Sequence, residues 1–375
     1  MHYFIYPTKD TWISSGSKRD TTGVDEKDQN HGQDQILEIK KVFYNYKFDH
    51  PTRALVHFDL SEVSKSIHDG YITNPKFYLR LYEADGTTDL SSEYSLAAYP
   101  LSESWDEGTG KFGDNPKVTD GASWNYRINK PGASTPVSWS YTDGNPFYGG
   151  SYISSSGYQA SQSFSYQSPD INMDVTNIVN GWLDNTNKNY GFLLAFSGSQ
   201  ETETGSLYTG DFKFFSSNTH TIYPPKLEIK WDDHKPVTGS NTGSMIPLSM
   251  SNAHNYVYVK QLRDKYKETE KVRFYVGARK RYIQKSFSTS VTMVSASYIP
   301  EGSGSYSITD VATGESVIPF SAYTSMSCSP TEGMYFDQWL NTFQPNRVYK
   351  ILLKVKYDGN REIIYDDDFE FKVTK

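Results

Sequence analysis

The sequence is short of several things, and each shortage removes a class of protein. It has a single cysteine, Cys328, in 375 residues, so no disulfide can form within the chain. No apolar run approaches the roughly 20 residues that cross a bilayer as a helix. Lysine and arginine never gather into a block and the net charge is −7, so nucleic acid is not an expected partner. The first residues, Met-His-Tyr-Phe-Ile-Tyr-Pro-Thr-Lys-Asp, carry neither a basic start nor a long apolar segment, and are expected to enter a strand directly rather than serve as a secretory leader. The eight histidines (His2, His31, His50, His57, His68, His220, His234 and His254) show no paired spacing, which argues against zinc. No P-loop, dinucleotide fingerprint or serine nucleophile elbow is present. Carboxylates such as Asp106, Glu107, Asp232 and Asp233 sit in no recognisable glycosidase arrangement. The chain is therefore expected not to be an enzyme.

What is plentiful is aromatic. Phe, Trp and Tyr make up 15% of the chain, with 30 Tyr and 20 Phe, a bias that favours strands. Residues 53–60, Arg-Ala-Leu-Val-His-Phe-Asp-Leu, alternate. Ala54, Val56, Phe58 and Leu60 fall on one face, and Arg53, Leu55, His57 and Asp59 on the other, as in a strand with one face in a core. His57 is expected half-buried and hydrogen-bonded. Further strands are expected over 4–12, 35–46, 76–82, 95–99, 190–196, 213–215 and 226–231. Val175, Ile178, Val179 and Trp182 recur at helical spacing behind Asp174, so one short helix belongs there. The stretch 108–167 is rich in Gly, Ser, Asn and Pro and reads as an insertion with short strands of its own.

Residues 232–244 (Asp-Asp-His-Lys-Pro-Val-Thr-Gly-Ser-Asn-Thr-Gly-Ser) have the composition of a linker. Beyond them, strands are expected over 256–262, 272–276, 288–294, 349–357 and 369–373, with a helical turn over 337–343. Asp366, Asp367 and Asp368 read as a solvated turn before the last strand. Tyr349 enters its strand where a tyrosine-corner residue would. The expected architecture is all-β: a jelly-roll sandwich over 1–231, then an immunoglobulin-like sandwich over 245–375.

Four segments of the first part resemble the DNRLRE domain, a jelly-roll module akin to carbohydrate-binding modules. They are Pro-Thr-Lys-Asp-Thr-Trp-Ile at 7–13, the strand at 53–60, Asp174-Val-Thr with Trp182 and Asn189-Tyr-Gly-Phe, and Phe214-Phe-Ser with Pro224-Pro-Lys-Leu-Glu-Ile-Lys-Trp231. The resemblance spans about 1–231 in the family's order, and the insertion at 108–167 departs from it. It implies a fold more than a function, since such domains occur on secreted and cell-surface proteins and in bacteriophage virions. The leaderless start favours the virion: a non-enzymatic structural protein of the capsid decoration, neck or tail, assembled in the host cytoplasm with other virion proteins in multiple symmetric copies. The second reading is a carbohydrate-binding or adhesion module of a secreted or cell-surface protein whose leader has been removed, with a surface glycan as partner.

Two sets of residues are candidates for a site. Asp20, Asp25, Asp28, Asn30 and Asp34 crowd one loop, and calcium is bound by several oxygens from flexible loops; the alternative is a solvated loop with no cofactor. Trp105, Trp124, Trp139, Tyr141 and Tyr148 are expected to present aromatic faces, either to a sugar or to a protein partner.

Overall fold

The computed structural model describes all residues except 17–25, 45–46, 50, 87–93, 131, 133–134, 141–148, 165–169, 203–209, 252–253, 283–286 and 288–295. The expected strand at 288–294 therefore lies outside the described residues. The chain packs as two compact units. One comprises Ile5–Tyr71 and Lys76–Ile229; the other comprises Met1–Phe4, Ile72–Pro75 and Lys230–Lys375.

The first unit is a β-sandwich of jelly-roll type. One layer is a five-stranded antiparallel sheet in the order Ala160–Phe164, Tyr94–Pro100, Phe192–Phe196, Thr52–Phe58, Pro7–Ser14. The facing layer contains Ile36–Tyr44, Gly210–Phe215 and Glu83–Gly86 in one antiparallel run, and Lys76–Leu81 paired with Ile171–Asp174 in another. Alternation drives this pairing. Ala54, Val56 and Phe58 point into the sandwich, as do Phe212 and Phe214 across from them, and all five are buried. Phe196 meets Phe212 across the layers with ring centroids 5.8 Å apart. The expected helix runs over Thr176–Leu183. Asp174 Oδ1 accepts the Thr176 N–H at 2.9 Å, and Ile178, Val179 and Trp182 are buried, with Trp182 against Phe192. A second helix, Ser61–His68, was not expected from the sequence. Asp59 starts it by accepting from both the N–H and the hydroxyl of Ser61 at 3.0 Å, and only Val63 of the helix is buried.

The strand at Thr52–Phe58 departs from the one-sided reading: Arg53 and Leu55 are as buried as their neighbours. The insertion explains why. It folds over the outer face of the five-stranded sheet, so that Leu55, Ile13 and Leu193 form a second apolar cluster with Trp105, Trp124 and Trp139. Trp105 Nε1 donates to the Tyr190 carbonyl at 2.8 Å and Trp139 Nε1 to that of Ser123 at 2.9 Å. The tryptophans expected to present open faces are core residues, and truncating a buried Trp costs about 3–5 kcal/mol. Arg53 is sealed in the same layer. Its guanidinium forms a fork to Glu201 (2.8 Å on each arm), donates to the Gly149 carbonyl at 2.6 Å and lies 4.9 Å from the Trp124 ring centroid.

The second unit is also a two-sheet sandwich. One sheet is ordered Ile246–Pro247, Ser297–Tyr298, Lys271–Lys280, Gly333–Trp339, Ser327–Ser329, with Asn255–Lys260 also on Lys271–Lys280. The other is ordered Lys265–Lys267, Arg361–Thr374, Val348–Tyr357, Gly304–Asp310, Ser316–Ile318. Tyr349, Ile351, Leu353, Val355 and Tyr357 face the core. Tyr349 Oη donates to the Gln344 carbonyl at 3.0 Å, the tyrosine corner of immunoglobulin-like sandwiches. The expected helical turn is the 3-10 segment Leu340–Thr342. Asp366, Asp367 and Asp368 are exposed, but they lie within the long strand Arg361–Thr374 rather than in a turn before it. Asp368 has φ 53° and the pairing register shifts opposite, the signature of a bulge. The residues of linker-like composition are hydrogen-bonded within this unit: the Lys235 N–H donates to Ser327 Oγ, and its carbonyl accepts from the Cys328 N–H.

Candidate functional site

A cleft lies on the first unit. It holds about 280 Å³ and is lined by Trp12, Asp34, Ile36, Glu38, Phe112 and Lys213. Four segments build it. Trp12 is on Pro7–Ser14, the last strand of its sheet. Ile36 and Glu38 alternate outward on Ile36–Tyr44, and Lys213 is the cross-strand partner of Glu38, so the two side chains share a face. Asp34 precedes the strand, and Phe112 comes from the insertion.

Trp12 is held rigidly. His31 stacks on its ring, with centroids 3.6 Å apart and planes 16° from parallel, and its Nε1 donates to Asp34 Oδ2 at 3.0 Å. The same carboxylate oxygen accepts the Phe112 N–H at 3.3 Å. Phe112 thereby stands beside Trp12, centroids 6.1 Å apart, with 58% of its surface open to solvent. Around the rings lie ionic groups in mutual contact: Glu38 with Lys40 at 3.1 Å, and Lys213 with Asp211 at 3.4 Å and Asp85 at 3.8 Å. Burial pushes the carboxyls of Asp34 and Glu38 above the usual range, the latter in spite of Lys40. Burial disfavours the Lys213 ammonium, but Asp211, Glu38 and Asp85 outweigh it and hold its pKa up. Trp12 itself is buried, so the cleft offers one exposed aromatic ring, that of Phe112, with carboxylate acceptors and an ammonium donor around one open space. These are the groups that recognise a ligand apolar on one face and rich in hydroxyls at its edge.

The loop carrying Phe112 is fastened by Asn30, which is fully buried. Its Nδ2 donates to the carbonyls of Glu107 (2.7 Å) and Ala122 (2.8 Å), and its Oδ1 accepts the N–H groups of Gly32 (3.0 Å) and Gly110 (2.8 Å). A Cβ on Gly108, which has φ +85°, would lie 2.3 Å from that oxygen, so only glycine fits there.

The calcium candidates divide. Asp20 and Asp25 lie outside the described residues. Asp28 accepts from Asn125 Nδ2 at 2.6 Å, Asn30 is the staple just described, and Asp34 binds Trp12 and the Phe112 amide. Among the described residues, no three His, Cys, Asp or Glu side chains stand together as metal ligands would. Of the aromatic candidates, Tyr141 and Tyr148 lie outside the described residues, and Trp105, Trp124 and Trp139 are covered. Sequence reasoning passed over Trp12, Phe112, Glu38 and Lys213. The alternation of Ile36, Glu38 and Lys40 against Leu37, Ile39 and Lys41 was available to place Glu38 on the outer face. Nothing in the local pattern announced that Phe112 would join it. His57 behaves as expected, half-buried with Nδ1 2.6 Å from Thr8 Oγ1.

Residues 2–143 match the model of carbohydrate-binding module family 96. Over those residues, which are less than half of the chain, the protein is similar to a carbohydrate-binding module. No curated protein sequence matches the chain. Among solved structures it aligns with the adhesin domain of Epf from Streptococcus pyogenes at 8% identity, over 100% of this chain and 92% of that one, with a TM-score of 0.16; a score that low carries no argument about fold or function. Among the described residues, no helix is long and apolar enough to cross a membrane.

Proposed function

We propose that this protein is a non-catalytic glycan-binding protein of adhesion or surface-attachment type, and that the cleft between Trp12, Phe112, Glu38 and Lys213 is its binding site. The observation that carries this is the exposed Phe112 ring, held by the Asp34 carboxylate beside Trp12 and above a set of carboxylates and an ammonium. The match of residues 2–143 to a carbohydrate-binding module supports it. In this reading the two sandwiches are separate domains, about 1–231 and 245–375, and the first holds the glycan while the second spaces or presents it. The family match gives no support to the virion role expected from the sequence. The carbohydrate reading takes its place, with an extracellular or cell-surface setting.

The test is retention of the whole chain on immobilised polysaccharides, with Phe112→Ala as the probe of the site. Phe112 is exposed, so its truncation should leave the unfolding midpoint unchanged. It should weaken retention by about 1–2 kcal/mol, roughly 5–30-fold, as loss of an aromatic contact at the centre of a site does. Retention that is equal for both proteins would move the site elsewhere. No retention on any glycan would end the reading.

A further inference from the structure

The second unit leaves one long edge on its sandwich. Among the described residues, five strands end its two sheets. Four of them, Ile246–Pro247, Lys265–Lys267, Ser316–Ile318 and Ser327–Ser329, are two or three residues long. Edge strands that short offer few free backbone groups to another chain. The fifth, Asn255–Lys260, has six residues and no proline. It pairs with Lys271–Lys280 without a register shift, and no described strand pairs with its other side. The Arg281 N–H extends the ladder one step further, donating to the His254 carbonyl at 2.9 Å. A regular edge of this length presents N–H and C=O groups that an added strand can complete.

The side chains beside that edge narrow the choice of strand. Val257 points into the core, so Tyr256, Tyr258 and Lys260 lie on the outer face, partly open to solvent. Directly opposite them on the neighbouring strand are Arg279, Gly277 and Tyr275. The rings of Tyr256 and Tyr258 are 5.1 Å apart and 21° from parallel, and the Arg279 guanidinium lies 5.1 Å from the Tyr256 centroid. Tyr258 lies flat against Gly277, where a Cβ would be 2.5 Å from its ring. The result is a shelf of tyrosine and guanidinium, groups enriched in protein interfaces.

Charge adds a third constraint. Arg273, further along the same strand, is held by Asp337 at 2.8 Å and by Glu332. Lys260, Arg279 and Arg281 make no ion pair with a described residue. A chain of net charge −7 thus keeps uncompensated cations at this corner. One lysine suffices to keep an edge solvated; this corner has more. A second copy added edge to edge would bring two such cationic corners together, which like charges oppose.

We propose that this corner binds an extended acidic peptide segment of a partner protein. The segment adds to the sheet along Asn255–Lys260 and sets alternate carboxylates on the face that carries Lys260, Arg279 and Arg281. The proposal does not depend on the glycan-binding reading of the first unit, and each can fail without the other.

The experiment is fluorescence anisotropy of the full chain with three labelled octapeptides: alternating Glu and Val, alternating Lys and Val, and the Glu-Val sequence with every peptide nitrogen methylated. The Glu-Val peptide should bind, and less tightly as salt is added. The other two should not. Lys260→Gln and Arg279→Gln should each weaken binding by about two- to fivefold, the worth of an exposed ion pair, with unfolding midpoints as the check on folding. Lys260→Glu combined with Arg279→Glu should reverse the preference towards the Lys-Val peptide, a gain that misfolding cannot produce. The proposal is overturned if the wild type does not bind the Glu-Val peptide, or if these substitutions leave its binding unchanged. Equal binding of the methylated peptide, or of inorganic polyphosphate with the same dependence on Lys260 and Arg279, would make the corner a site for any polyanion and end the peptide reading.

Discussion

Replacing Asn30 by alanine should disable the proposed glycan site from inside the protein. The carboxamide makes four hydrogen bonds to backbone groups, at 2.7–3.0 Å. Truncation leaves the N–H groups of Gly32 and Gly110 without their acceptor and takes one donor each from the Glu107 and Ala122 carbonyls. A buried polar group left unpaired costs about 1–3 kcal/mol. The two orphaned donors alone thus set a scale of roughly 2–6 kcal/mol, with the carbonyls adding less because each has a second lone pair. The removed carboxamide leaves room for a water with several polar partners, which recovers part of the loss. The expected net cost is about 3 kcal/mol, a large share of the roughly 5–15 kcal/mol that holds a domain folded.

The location of that cost makes the test specific. Two other ties, Asn30 N–H to the Val118 carbonyl and Gln33 N–H to the Gly110 carbonyl, both 2.9 Å, remain in the variant. The segment 107–122 should therefore loosen without global unfolding. Native-state hydrogen exchange should show the amides of Gly32, Gly110 and their neighbours opening about a hundredfold more often, since each 1.4 kcal/mol is a factor of ten. Glycan retention should fall as far as it does in Phe112→Ala, although Asn30 is fully buried, because Phe112 hangs on the loosened segment. Exchange rates within threefold of wild type, or full retention with loosened amides, would refute the view that Asn30 holds the site in place.

Three further outcomes are expected. Glu201→Gln should destabilise the first unit by about 3–5 kcal/mol in urea unfolding, because it strands the buried Arg53 guanidinium; a cost below about 1 kcal/mol would mean that Arg53 finds water or another acceptor. Tyr349→Phe should cost the second unit about 1 kcal/mol by removing the bond to Gln344 and leave sugar binding untouched. Asp10 is buried, accepts from the N–H (2.6 Å) and hydroxyl (2.9 Å) of Ser217, and burial raises its pKa from 3.8 to about 7. Between those values the folded chain holds a proton that the unfolded chain has lost. Stability from this group is therefore full below about pH 4 and falls as pH rises towards 7, by a total on the order of 4 kcal/mol. Asp10→Asn, which keeps both contacts to Ser217 by presenting its oxygen to the N–H, should match the wild type near pH 4 and exceed it at pH 8; parallel stability curves for the two proteins would show that Asp10 stays ionised.

Where the pattern was local, the sequence was legible. The alternation at 349–357 placed five side chains in the core and identified the tyrosine corner from one residue. Val175, Ile178, Val179 and Trp182 located the helix to within a residue or two. The helix Ser61–His68 was invisible for the same reason: it buries one residue, so it has no apolar period to read. Asp366, Asp367 and Asp368 resembled a turn because a bulge and a turn share the same polar, left-handed residues.

The errors about the site have one physical origin. Alternation shows that a strand has two faces but not what covers the second. Arg53 looked like a solvent-facing residue, and Trp105, Trp124 and Trp139 looked like exposed platforms, because the insertion has no period of its own. In the folded chain these two readings cancel: the tryptophans are what covers the Arg53 face, and the Arg53–Glu201 pair is sealed beneath them. That covering uses up the outer surface of the five-stranded sheet. It leaves the opposite layer, where Glu38, Lys213 and Phe215 alternate outward, as the sheet surface available to a ligand. The insertion then contributes Phe112 to the edge of that layer through Asn30 and Asp34. The segment that hid one face thus helps to build the site on the other, through contacts between residues about eighty positions apart that no window of sequence contains.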